Sequence, residues 1–265
     1  MQMGDINECE LTQFLIVGDR FAGFTVHAAA RSVSQMVKHL QGDPELRSGQ
    51  TLLRLGHGVS PYDLELLRFE IQRQQLMENV SLDLSHTELA GRRMAHKCRE
   101  NNVLIADLEL KDSSTCAASL RVHNDNEILL DHQTGQHVQG MVAVEASRQM
   151  FLASTEKFFL PPESRETYYF VINELSTRFL SFLFPLPATI IYRVKTSDQE
   201  RPDALRFTAS IEIRQGETIT STTDVDFTAF ASNKIDAIET KRADAALQDL
   251  FTETAVLAPL VNAAG

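Results

Sequence analysis

The chain has 265 residues, enough for one large domain or two small ones. Its 43% hydrophobic content with ordinary glycine and proline counts marks a globular protein. A net charge of −11 without a long basic run argues against wholesale binding to nucleic acid or to an anionic membrane.

The N-terminal residues lack the charged-then-apolar pattern of a secretion signal. Residues 11–17 suit a short strand. A helical pattern follows from Val26 to Leu40, with Ala29, Val33, Met36, Val37 and Leu40 on one face, and stops at Gly42-Asp43-Pro44. Ser60 followed by Pro61 is a helix start, with Asp63 and Glu65 in the first turn and Leu64, Leu67 and Ile71 as the apolar stripe, out to about Asn79. A further helix is expected from Thr87 to Glu100. Residues 1–93 therefore read as a mainly helical region of unassigned role. Cys9, Cys98 and Cys116 have no CxxC spacing, which fits a reducing compartment and offers no metal framework.

The pattern changes at Val103. Leu104, Ala106, Leu108 and Leu110 alternate with Asp107 and Glu109, and after a turn Ala118, Leu120 and Val122 alternate with Ser119, Arg121 and His123: a hairpin. A polar loop carrying Asp131, His132 and His137 then runs through Gly140 into a helix that is apolar almost all round. Its polar residues, Glu145, Arg148 and Gln149, share one stripe at i, i+3 and i+4. After Pro161-Pro162, strands are expected from Tyr168, Thr189, Leu205 and Ile219. The apolar patch around Phe179 to Pro187 is too short to span a bilayer. A last helix is expected from Asn233 to Phe251. One long helix wrapped by an antiparallel sheet covers all these apolar faces, which is the hotdog architecture of an α+β protein. The expected division is 1–93, a hotdog domain over 94–232, and a C-terminal helix and tail over 233–265. The free sheet edge invites pairing with a second copy, hence a homodimer, or a pseudo-dimer were the first hundred residues a degenerate copy; their lack of a strand pattern favours the homodimer.

The segments AHKCRENNVLIADLEL and DHQTGQHVQGMVAVEASRQ resemble the A-factor biosynthesis hotdog family, the γ-butyrolactone synthase type. The residues that carry the likeness are His96-Lys97, Asp131-His132, His137-Val138, Gly140, Glu145-Ala146 and Arg148-Gln149. The loop and helix are more distantly similar to hotdog hydroxyacyl-carrier-protein dehydratases. Gln136 stands where the family pattern has Asp and Gln139 where it has Pro, and one hotdog repeat is found where family members usually carry two. The cytoplasm is the expected compartment, since neither a secretion signal nor a spanning segment is read in the sequence. The resemblance implies an acyltransferase without cofactor. It would move a β-ketoacyl group from acyl carrier protein, or from an acyl-CoA thioester, to a phosphorylated three-carbon acceptor such as dihydroxyacetone phosphate, toward a butyrolactone or butenolide signal.

Acyl transfer needs an oxyanion site, a base and an acceptor binder. Backbone N–H groups at Gly140 and Met141 suit the oxyanion. Glu145, with its pKa raised by a partly dry site, or His132, suits the base. Arg148 has the flat fork for a phosphate, and Gln149, Asp131 and His137 suit contacts to substrate. Duller roles are open for each: Glu145 and Arg148 as an ion pair pinning the helix, His137 as a loop residue, and His96-Lys97 on a solvated helix end. A dehydratase, a thioesterase and a non-catalytic binder of an acyl chain or signal molecule are the alternative functions.

Overall fold

The computed structural model describes residues 11–83, 88–131, 135–161 and 168–261, with side chains through residue 252. The first lobe alternates strand and helix: β1 (Leu11–Val17), β2 (Ala30–Ser32), α1 (Val33–Gly42), β3 (Gln50–Leu55), α2 (Pro61–Arg73) and β4 (Val80–Leu82). Its four strands form a parallel sheet in the order β2-β1-β3-β4. The strand expected at 11–17 is β1, and the first lobe is a helix-and-sheet unit rather than a mainly helical region. Both helices start on capping boxes. Ser32 and Gln35 close the start of α1, and Ser60 and Asp63 close that of α2, so local sequence fixes where each helix begins. Gln75, at φ 59°, ends the second one well short of Asn79. Ile16, Met36, Leu40, Leu53, Leu67 and Leu76 make the buried core of this lobe.

The larger lobe contains β5 (Ile105–Leu110), β6 (Thr115–Leu120), the short α3 (Glu127–Leu130), α4 (Gly140–Ser154), β7 (Tyr168–Phe179), β8 (Ala188–Asp198), β9 (Ala204–Gln215) and β10 (Thr218–Ala231). The sheet is antiparallel, in the order β5-β6-β8-β9-β10-β7, and it wraps α4. This is the expected hotdog fold. Alternation along the long strands does the sorting: Ile190 and Tyr192, Ile211 and Ile213, and Val225 and Phe227 are buried. Phe151 of α4 stacks on Phe227 at 4.6 Å, and Phe207 also stacks on Phe227 at 5.3 Å. Losing a ring such as Phe151 from this stack would cost about 3–5 kcal/mol. At its C-terminal end α4 widens into a π-turn over Thr155–Phe159 before Pro161.

Two expectations are corrected in the hairpin region. The helix expected over Thr87–Glu100 does not form in its described part. Residues 88–99 run as bends and turns, Leu89 bridges to Ala106, and Ala90 N–H donates to Ile105 O at 3.0 Å. Once backbone groups are engaged by a neighbouring strand they are lost to a helix. His96 takes a left-handed conformation at φ 51°, which a continuous helix forbids. The alternation of β5 also breaks at Asp107, whose φ of 53° makes a bulge, so Leu110 is exposed rather than inward. Reciprocal bonds hold this bulge, Asp107 N–H to Glu88 O and Glu88 N–H to Asp107 Oδ1, both at 2.7 Å.

α5 (Ser232–Val261) starts where β10 ends and runs past the Phe251 boundary expected for it. Ile235 docks its first turns and Lys234 pairs with Asp203 at 2.5 Å, while Leu247, Leu250 and Phe251 are exposed. Among the described residues no helix is long and apolar enough to cross a membrane.

Candidate functional site

α4 sits in the larger core with Val142, Ala143, Ala146, Met150 and Phe151 buried. The polar stripe therefore needs partners of its own. Glu145 finds three. Arg148 grips its carboxylate with two prongs, Nε to Oε2 at 2.9 Å and Nη2 to Oε1 at 3.0 Å. Lys97 Nζ lies 2.7 Å from Oε1, and Gln149 Nε2 donates to the same oxygen at 3.0 Å. Burial alone would raise the Glu145 pKa. The hydrogen bonds from Arg148, Lys97 and Gln149 outweigh it and hold the carboxyl below its ordinary range. This reverses the expectation of a raised pKa, because two cations rather than a dry apolar wall surround the group.

Gln149 is fully buried and its amide is fully engaged. Its Oε1 accepts from Leu104 N–H at 2.8 Å, and its Nε2 donates to Asn102 O at 2.8 Å as well as to Glu145. It ties α4 to the start of the hairpin. His96 reaches a second acid: Nε2 meets Glu156 Oε1 at 2.6 Å, and its ring stands edge-on to Phe170 at 5.7 Å. Glu156 lies eleven residues beyond Glu145, so the two acids are about 16 Å apart along one face. The adjacent pair His96-Lys97 thus contacts α4 and its extension at two points three turns apart. Spacing alone missed Lys97 and Glu156. The signal for the first was the His-Lys pair of the family resemblance; for the second the sequence held none.

The start of α4 is open. Its N-cap residue Gln139 makes no side-chain cap bond; its amide instead donates to Ile128 O. Gly140 and Met141 follow, Met141 exposed and Gly140 packed so closely on Phe179 that a Cβ there would meet the ring at 2.9 Å. His137 lies against the Phe182 ring at 4.9 Å. Asp131 is exposed at the C-terminal cap of α3. His132 lies outside the described residues. The first lobe supports this loop directly. His27 Nε2 donates to Gln136 Oε1 at 3.2 Å, a Cβ on Gly23 would collide with the Gly135 carbonyl, and Phe24 packs on Phe184 at 5.7 Å.

No curated protein matches the chain. Among solved structures the backbone is similar to that of a mutant thioesterase from Pseudomonas aeruginosa, at 16% identity and TM-score 0.37 over 48% of this chain and 81% of that one. It is similar to a conserved protein of the same organism, at 15% identity and TM-score 0.39 over 53% and 100%. A putative thioesterase from Lactococcus lactis gives 13% identity and TM-score 0.37 over 48% and 93%. The family model described as A-factor biosynthesis hotdog domain matches residues 80–231, more than half of the sequence, and this span holds both segments that meet at Glu145. The chain belongs to the A-factor biosynthesis hotdog domain family.

Proposed function

We propose that this protein is an acyltransferase that moves a β-ketoacyl group from a carrier-protein or CoA thioester to a hydroxyl of a phosphorylated three-carbon acceptor of the dihydroxyacetone phosphate kind. The observation that carries this reading is the 2.7 Å contact of Lys97 with Glu145, which joins the two motif segments into one cluster of two cations on one carboxylate. In the resting protein Glu145 is a weak base, because Lys97 and Arg148 stabilise its charge. An incoming phosphate competes for the same cations. As Lys97 and Arg148 turn to it, Glu145 loses its counter-charges and its basicity rises. The base is thus armed by the acceptor itself. Glu145 then takes the acceptor's hydroxyl proton as the oxygen attacks the thioester carbonyl. The carbon–sulfur bond breaks, and the proton leaves with the thiol. Uncapped N–H groups at Gly140 and Met141 suit the oxyanion. His132 is the second candidate base. Gln149 holds the carboxylate in place, while His137 and Asp131 stand at the loop where the acceptor or the carrier arm approaches. The free edge at β7 suits a homodimer.

The test is mass spectrometry of products after mixing the protein with β-ketoacyl carrier protein and either dihydroxyacetone phosphate or dihydroxyacetone. The expected product is the phosphorylated ester, with the unphosphorylated acceptor reacting poorly at any concentration. A free acid in place of the ester would make this a thioesterase, and a dehydrated thioester a dehydratase. Absence of turnover on every thioester would favour a binding protein.

A further inference from the structure

The carboxyl end of β3 opens onto a cavity of about 980 Å³ that shares no residue with α4. Three walls enclose it. One is the loop Gly56-His57-Gly58-Val59 after β3, and one is the face of α2 that carries Leu64, Glu65 and Arg68. The third is the outer face of the large sheet, where Ser119, Thr189 and Arg214 stand in register across β6, β8 and β9. The cavity lies outside the carboxyl end of β3, beside the loop that leads into α2. The volume lies at the upper end of the roughly 300–1,000 Å³ common for small-molecule sites.

Two residues that line this cavity each hold a buried side-chain nitrogen without a hydrogen-bond partner: Nε2 of His57 and Nη1 of Arg121. A buried guanidinium nitrogen without a partner is unfavourable, and such a group calls for an explanation. No ion pair among the described residues includes Arg121; the charge it feels is that of Glu100. Arg68 and Arg214, by contrast, are held by Glu65 at 2.6 Å and Glu212 at 2.7 Å. The missing partner is therefore one for Arg121.

The surroundings select its chemistry. A phosphate would look for free backbone N–H groups, and the loop has already committed those of Gly56, His57 and Gly58. Gly56 donates to Ile16 O, His57 to Pro185 O and Gly58 to Val122 O. Asp63 accepts from Ser60 N–H at 2.8 Å and so occupies the start of α2 with its own carboxylate. Among the lining side chains Arg68, Arg121 and Arg214 balance Glu65, Glu100 and Asp107, so a dianion would be poorly received. A single carboxylate fits the guanidinium fork, and Val59, Leu64 and Leu89 give an apolar wall for the rest of the ligand. We propose that this cavity is a second binding site, taking a small monocarboxylate with an apolar body whose acid group is seated on Arg121.

Calorimetric titration of the full chain with octanoate, octyl phosphate and octan-1-ol tests this. Octanoate should bind, and both octan-1-ol to the wild type and octanoate to Arg121→Met should bind at least about tenfold more weakly. Leu64→Trp, which fills the cavity from α2 and leaves Arg121 intact, should weaken octanoate similarly and decides the matter should Arg121→Met misfold. Lys97→Met should leave octanoate binding unchanged, which separates this cavity from the cluster on α4. Preference for octyl phosphate, absence of octanoate binding, unchanged affinity in both cavity variants, or loss in Lys97→Met would overturn the proposal.

Discussion

Lys97 and Glu145 are 48 positions apart in sequence and 2.7 Å apart in space. Lys97 can reach because the segment before β5 turns at His96 instead of continuing as a helix. Lys97→Met removes the ammonium and keeps most of the stem, and Glu145 retains Arg148. The expected cost in stability is only about 1 kcal/mol. Turnover of the phosphorylated acceptor should fall by about tenfold or more, read as kcat/KM. Unchanged turnover with a lowered melting temperature would make the cluster a structural pin.

Gln149 has the opposite balance. Gln149→Leu fills the same space but leaves Leu104 N–H and Asn102 O without the amide. Two buried backbone groups lose their partner, so a loss of about 2–4 kcal/mol is expected. Urea unfolding measures it. Because the seam between α4 and the hairpin loosens, activity should fall together with stability rather than apart from it.

His57 gives the fold an acid sensitivity. Burial pushes its pKa down to about 4 from the ordinary 6.5. Between these values the unfolded chain takes up a proton that the folded chain refuses. Stability therefore falls as pH drops from 6.5 toward 4, by up to about 3 kcal/mol. Glu145 acts lower on the scale. Its folded pKa is depressed below 4.5, so its contribution persists above that value and is lost as pH falls through the folded pKa. Melting temperatures between pH 7 and 4 should decline less steeply in His57→Gln. Parallel curves would mean that the imidazole is protonated in place.

β7 is paired on one side by β10 and forms an edge of the sheet, with Tyr169, Ile172 and Phe179 exposed along it. A second copy docked there would bury these side chains. Ile172→Lys places a charge on the edge and should convert a dimer to a monomer in analytical ultracentrifugation. A wild type that sediments as a monomer at every concentration would remove the dimer from the picture.

Much of the fold was legible where local sequence decides it. Ser60-Pro61 with Asp63 carries the whole start of α2 within four residues. The apolar run through α4 demanded a sheet around it, and the alternating strands supplied one. Legibility failed where distant backbone decides. β2 and β4 are three residues each and are held by parallel pairing to β1 and β3, so no side-chain alternation announces them. The turns between Glu88 and Arg99 depend on a bridge to Ala106 and on one left-handed residue. In the site, the Glu145–Arg148 pair followed from spacing. The pKa direction did not, because Lys97 approaches from another segment and reverses the effect of burial.

The contact between Gly23 and Gly135 bears on how this protein can be cut. Val17 and Phe21 of the first lobe lie in the same buried cluster as Phe151 and Phe227, and His27 props the loop that leads to α4. A recombinant fragment trimmed to the hotdog lobe would expose those vacated seats to water. The leading residues are a jaw of the same vice, and a truncated version should precipitate rather than fold on its own.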